Sequence, residues 1–286
     1  MSQQQEDATV AGRWREPVNS SADEKGGIHD DDTASGLGFA GGTVAGSIHM
    51  EQFPPLLVQH FGEDWWQRGS LSLYFLQATQ HREPVRCLLR PINECKAEVW
   101  MENESGERIM AGTAGLGDDP RSEVKQRVTA VRPASDIRMF ADVVLNQDSD
   151  PVPSRATAAE VAARLAVITE PMPCYTDASL YGGQVVPMAA LVHLLRAAEP
   201  LVAPIRGAFV GLFGAVEIQY TDGPVVAERD YQVTGRALAL SESPKTEIIW
   251  HAHSLTDAAT GTEIARMIKM DRLLKGASPL WAEEKA

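Results

Sequence analysis

The residues able to do chemistry are few and unevenly placed. His29 sits in the run IHDDDTASGLGF (28–39), with three aspartates directly after it. An imidazole changes charge near neutral pH, so His29 is the first candidate for moving a proton. Asp30, Asp31 and Asp32 read as charges at the start of a short helix, where the helix dipole favours anions. A metal is a poorer reading for them, because three consecutive aspartates cannot all turn towards one ion and further oxygen ligands are not evident. His251 and His253 alternate on a predicted strand and so share one face. No third ligand stands near them in the sequence, which favours a polar sheet face over a metal pair. Asn19 heads the loop NSSADEKGG (19–27) and could orient water or His29, or simply form an Asx turn. His49 and Gln52 fall near the start of a predicted helix and could line a pocket. Tyr175 and Tyr181 flank the pair Gly182–Gly183 and could reach a cleft.

These residues must be positioned by regular elements. TVAGRWREPV (9–18) suggests a first strand, and 28–39 one or two helical turns closed by Gly36 and Gly38. A helix is predicted within 43–62, ending at Gly62, with a kink or restart at Pro54–Pro55. Trp65 and Trp66 should then cover the core end of that helix. Four strand-like segments follow at 70–79, 84–92, 96–104 and 107–116, with ESGE at 104–107 as the clearest hairpin signal. The run 118–123 reads as a linker, and TAAEVAARLAVI (157–168) as an Ala-rich helix. Then 181–200 repeats the earlier arrangement of Gly pair, Val and Pro-started helix, followed by strands at 207–222, 230–243, 247–257 and 263–274. This order predicts a duplication: an N-terminal half at 9–117, a linker at 118–156 and a C-terminal half at 157–286. One apolar helix beside an antiparallel sheet is buried by wrapping the sheet around it, an α+β solution. Two such halves can join sheet edge to sheet edge and leave a cleft between them.

The composition narrows the partners. The chain has 286 residues, with hydrophobic residues at 44% and charged residues at 23%. Those proportions suit a globular protein. Lys+Arg 26 against Asp+Glu 39 gives a net charge of −13. Neither nucleic acid nor an anionic membrane is therefore an expected partner. The three cysteines, Cys87, Cys95 and Cys174, are too few for a disulfide scaffold and have no zinc-ligand spacing. The N-terminus lacks the features of a secretory signal. The longest uncharged apolar stretch is 185–195. A membrane helix needs roughly 20 residues, far more than this stretch supplies. A soluble cytoplasmic protein is the expectation.

The run IHDDDTASGLGFAGGTVAG (28–46) resembles the signature of MaoC-like hot-dog proteins: a His, acidic residues, Ala, Gly-Phe, then a Gly-rich turn entering the hot-dog helix. The spacing from His29 to Gly38 fits, Phe39 follows, and Gly46 lies at the helix entry. The longer run from Asn19 resembles a subgroup with Asn ten positions before the His. The resemblance is specific over 19–76, generic over 180–275 and absent over 118–175. It implies a double hot-dog, each half a curled antiparallel sheet around one central helix. In that family an Asp and a His five positions apart activate water across an enoyl thioester, and a backbone N–H at the helix start holds the carbonyl oxygen. Here the Asp position is Glu24, the intervening Asn-Pro is Gly26–Gly27, and the usual helix-entry His is Ala45, with His49 one turn later.

The resemblance therefore implies a hydratase or dehydratase, a hydro-lyase using His29 and Glu24 with Asn19 in support. Gly46, His49, Gln52 and Tyr181 are the expected substrate-binding residues, with neither metal nor cofactor. The second half, lacking a His at its Gly turn, should supply the substrate wall. The substrate would be an acyl-CoA thioester or, because the chain is acidic, a non-CoA aromatic molecule. A homodimer is compatible with the reading. Two alternatives stay open: a hot-dog thioesterase using Glu24 or Glu51, and a non-catalytic small-molecule-binding protein in which the acid–base pair is vestigial.

Overall fold

A computed structural model describes residues 9–23 and 25–285. The elements of the first half are β1 (Val10–Ala11), α1 (Asp31–Gly36), α2 (Gly46–Met50), α3 (Pro54–Phe61), α4 (Trp65–Arg68), β2 (Gly69–Phe75), β3 (Val85–Asn93), β4 (Lys96–Asn103) and β5 (Arg108–Leu116). There follow α5 (Glu123–Thr129), β6 (Val152–Ser154), α6 (Ala158–Leu165), α7 (Met188–Leu195), α8 (Glu199–Val202), β7 (Gly211–Tyr220), β8 (Tyr231–Glu242), β9 (Thr246–Asp257) and β10 (Glu263–Leu274).

The ten strands among the described residues belong to one sheet, in the order β1-β3-β4-β5-β2-β7-β10-β9-β8-β6. Within it, β3-β4-β5-β2 and β7-β10-β9-β8 are two antiparallel sets that meet where β2 pairs with β7, from Ser70↔Gln219 to Tyr74↔Ala215. Both joining strands thus hide an edge that would otherwise be open to another chain. The sheet curls around the short helices of each half, an α+β arrangement and the one expected of a double hot-dog.

The helix predicted over 43–62 is divided into α2 and α3. Pro54 begins α3 at a position where its missing N–H costs nothing. Gly62 ends it with φ +74, a conformation that suits glycine. The one-helix core of the second half is α7, whose buried Met188, Leu191, Val192 and Leu195 face the sheet. Val44 and Ile48 of the first half pack with Ala189 of the second, so the two helical layers touch. Trp65 and Trp66 are fully buried and meet Tyr220 and Tyr175 edge-on, at ring-centre distances of 5.6 and 6.0 Å.

The expected first strand is shorter than 9–18, because Gly12 and Arg15 bond to the Cys87 and Val85 edge but the residues between them do not continue the ladder. The segment after β5 also holds more structure than its composition suggested. Ser122 caps α5, and the Val124 N–H donates to Ser72 Oγ at 2.9 Å, fastening the helix across the β2–β7 seam. Thr157 and Glu160 form a reciprocal capping box at the start of α6. No helix among the described residues is long and apolar enough to cross a membrane.

Candidate active site

The His29 loop is built by local hydrogen bonds. Asn19 Nδ2 donates to the His29 carbonyl at 2.7 Å, and Asn19 Oδ1 accepts the Ser21 N–H at 3.3 Å. The Asn19 N–H donates to His81 Nδ1 at 3.1 Å. Asp30 precedes α1 and accepts from Thr33 Oγ1 and Lys25 Nζ at 2.6 and 2.7 Å. The Lys25 hydrogen bond, followed by that of Thr33, holds its carboxyl below the usual carboxylate range. Asp31 Oδ1 accepts the Gly42 N–H at 2.7 Å, which ties the Gly-rich turn to α1. Gly42 has to be glycine: a Cβ there would overlap the His29 carbonyl and stand 3.0 Å from both Asn19 Nδ2 and Asp31 Oδ1.

This scaffold sets the His29 ring. Its Nδ1 donates to the Thr43 carbonyl at 2.7 Å. A carbonyl can only accept, so the neutral ring carries its proton on Nδ1 and leaves a lone pair on Nε2. Nε2 has no hydrogen-bond partner among the described residues. His29 is half-buried and lines a cavity of about 360 Å³.

The same cavity is lined by Ala45, Gly46, Ser47 and His49 from the start of α2. Gly46 and Ser47 open the helix, so their N–H groups have no acceptor within it. A Cβ on Gly46 would come 2.7 Å from Phe75 Cε1, so glycine lets the Phe75 ring lie across the helix entry. His49 is buried, with Nε2 2.6 Å from Thr79 Oγ1 and Nδ1 unpaired. Burial lowers its pKa to about 4, which keeps it neutral at physiological pH.

The second half closes the cavity. Arg164 comes from α6, Val192 and His193 from α7, Arg196 from the turn after it, Leu212 and Phe213 from β7, and Arg272 from β10. Phe75 and Phe213 meet edge-on across the junction at 6.1 Å. Arg196 is held by Glu199 through contacts of 2.7 and 2.8 Å, and Arg272 donates to Tyr74 Oη at 2.6 Å. Arg164 forms no ion pair among the described residues.

The structure thus gathers His29, Gly46 and His49 around one cavity and puts Asn19 directly behind His29. It does not bring Gln52 or Tyr181 to that cavity. Gln52 is buried beside α2, with both amide atoms unpaired. Tyr181 is turned away and donates its hydroxyl to Glu63. Tyr175 is fully buried and donates to Glu51 at 3.3 Å. Glu51, weighed from the sequence as a carboxylate facing substrate, is also fully buried and accepts the Ala189 N–H at the start of α7. Glu24 lies outside the described residues.

Sequence reasoning missed the arginines. The net charge of −13 argued against an anionic substrate, yet Arg164, Arg196 and Arg272 line this cavity. Total charge says nothing about where the few cations converge. Arg196 carried only the weak signal of a cation at a helix end, and nothing in the spacing linked it to His29. A larger depression of about 550 Å³ lies elsewhere, but its charges are engaged with one another, as in Arg236–Asp148 at 2.6 Å and Lys125–Glu217 at 3.3 Å.

No protein-family model matches the sequence, and no curated protein matches it in sequence. Solved structures do match its fold. A Chloroflexus aurantiacus MaoC-domain protein described as a dehydratase superposes with a TM-score of 0.63 at 10% identity, over 94% of this chain and 95% of that one. A Mycobacterium tuberculosis protein with a double hot-dog fold gives 0.62 at 10% identity, over 94% and 96%. A MaoC-like dehydratase gives 0.56 at 13% identity, over 94% and 98%. The chain is a double hot-dog protein. Its fold is the one found in MaoC-like dehydratases.

Proposed function

We propose that the protein is a hydro-lyase that adds water to, or removes it from, a carbon–carbon double bond conjugated with a carbonyl. The observation that carries this is the pairing, in one cavity, of the bare Nε2 of His29 with the free N–H groups that open α2. In hydration, Nε2 accepts a proton from water as the water oxygen bonds to the β carbon. The π electrons move onto the carbonyl oxygen, where the N–H groups of Gly46 and Ser47 stabilise the enolate charge. Return of a proton to the α carbon, from the imidazolium or from a Glu24 carboxyl that the imidazolium then reprotonates, completes the addition of one water. Elimination is the same sequence in reverse. Asn19 fixes the His29 backbone, and His49, held neutral, keeps the inner wall free of charge.

Arg164 and Arg272, which form no ion pair among the described residues, suit an anionic handle on the substrate, which favours an acyl-CoA thioester over an uncharged aromatic. The thioesterase reading is less well supported, because the Glu51 carboxylate is spent on Ala189 and Tyr175 away from the cavity. Three unpaired cysteines suit a reducing compartment such as the cytoplasm.

The test is to follow loss of the conjugated double bond for a panel of enoyl-CoA substrates, with release of free CoA measured in parallel. His29→Ala is expected to lower kcat/KM for hydration about 10²- to 10⁴-fold. Hydration that survives the substitution, or a wild-type protein that releases CoA without hydrating, would sink the proposal.

A further inference from the structure

Behind the wall made by Arg196 and Phe213 lies a buried cluster that this reaction does not use. β9 turns His251 and His253 inward, with exposures of only 0% and 2%. β10 adds Lys269 and Asp271, and α8 brings Glu199 from above. From the sequence the two histidines had no third ligand. The fold supplies one from far along the chain: ligand atoms of Glu199, His251 and His253 lie within 4.8 Å of one another.

The hydrogen bonds orient these atoms. His251 Nε2 is 2.7 Å from Asp271 Oδ2 and donates to that carboxylate. His251 Nδ1 is therefore a lone pair, and it faces His253 Nε2 at 2.7 Å. The remaining nitrogen, His253 Nδ1, is buried without a partner. One arrangement puts the His253 proton on Nε2 and leaves Nδ1 as an unsatisfied acceptor. The other puts it on Nδ1 and sets two lone pairs against each other. A cation between the rings relieves the second arrangement's clash by binding both lone pairs, with the His253 proton on Nδ1.

We propose that Glu199, His251 and His253 bind a divalent transition-metal ion of the zinc class, with Asp271 as the outer partner that orients His251. Two imidazoles and a carboxylate are a common ligand set for such ions, and a carboxylate behind a ligating histidine raises its basicity and fixes its ring. Tetrahedral bonds of about 2.0 Å place ligand nitrogens about 3.3 Å apart, so the two rings have to separate by about half an ångström. The two histidines alternate on one strand, and Gly235, opposite His253 in the sheet, leaves the ring its space.

Lys269 opposes the ion. Its ammonium lies 3.1 Å from Glu199 Oε2 and 2.7 Å from Asp271 Oδ2, and a metal must compete with it for the first carboxylate. Arg196 bonds to both Glu199 oxygens but leaves lone pairs on Oε1. Removing the lysine charge should therefore strengthen the site, which is the reverse of what a purely structural ion cluster would show.

The measurement is metal content after dialysis of the full chain against chelator and then against limiting Zn²⁺, with titration calorimetry for affinity. Co²⁺ provides a second readout through its visible absorption. One ion per chain is expected, with a Co²⁺ spectrum of nitrogen and oxygen ligands. Asp271→Asn should weaken binding about 10- to 100-fold, the usual effect of losing such an outer partner. His251→Gln and His253→Gln should abolish it, and Lys269→Met should tighten it. Circular dichroism confirms that each variant is folded, and the Co²⁺ spectrum of the wild type stands even where a variant is not. The proposal is overturned if the wild type holds no stoichiometric ion, if uptake persists in folded His251→Gln or His253→Gln, or if Lys269→Met binds no more tightly. None of these readouts depends on the hydration reaction.

Discussion

The Glu51 carboxyl joins the two halves of the fold and makes their stability depend on pH. It leaves the end of α2 and accepts the N–H of Ala189 at the start of α7, with Tyr175 as a second donor. Burial pushes its pKa up from the ordinary 4.5 to about 7, against the opposing pull of those two hydrogen bonds. A carboxyl that titrates higher in the folded chain holds its proton more tightly there. Its contribution is therefore complete below about pH 4.5 and is lost as pH rises through 7. Each unit of difference in pKa between the folded and unfolded chain is worth about 1.4 kcal/mol. The rise from 4.5 to about 7 thus amounts to roughly 3 kcal/mol. Glu51→Gln keeps an oxygen for the Ala189 N–H and removes the titration. Urea unfolding of both proteins from pH 4.5 to 8.5 gives the stability difference directly. The variant should gain on the wild type by roughly 3 kcal/mol across that range, whatever its constant offset. A difference that stays flat, or that moves in favour of the wild type with rising pH, would refute the reasoning and show that the start of α7 stabilises the anion fully.

Other perturbations test the cavity. Gly46→Ala places a methyl 2.7 Å from Phe75 Cε1 and should displace that ring from its place across the helix entry, disturbing the cavity wall. It should lower kcat/KM at least about tenfold while thermal melting changes little. Thr79→Val removes the partner of His49 Nε2 and leaves that buried ring wholly unpaired. The expected loss in denaturant unfolding is about 1–3 kcal/mol. Arg272→Met should raise KM for an enoyl-CoA about tenfold with kcat nearly unchanged, and the effect should shrink with salt. An uncharged truncated enoyl thioester should not distinguish Arg272→Met from the wild type.

The local elements were largely legible because period and punctuation are properties of short windows. The apolar runs that became β2–β5 and β7–β10, the proline that restarts the helix at α3 and the glycine that ends it all act over a few residues. The His29 neighbourhood was legible for the same reason. Asn19, Asp31, Gly42 and Thr43 all lie within 14 positions of His29, so their spacing carries the loop's geometry. The segment after β5 was not legible. It is anchored by contacts with distant strands, as when Val124 meets Ser72 or Arg138 and Met139 donate to Glu247.

What the sequence determined by itself was the eight longer strands β2–β5 and β7–β10, the helices within 43–62, 157–168 and 181–200, and the loop that presents His29. These follow from steric and hydrophobic preferences summed over neighbours. Only the tertiary structure decided that β2 and β7 share an edge. That one pairing brings Arg164, Arg196 and Arg272 opposite His29, spends Glu51 on the far half's helix, and leaves Tyr181 outside the cavity. Within the second half, the return of the chain after α7 sets Glu199 over His251 and His253. Such meetings depend on the register and curl of a sheet, which long-range burial selects and no local spacing encodes.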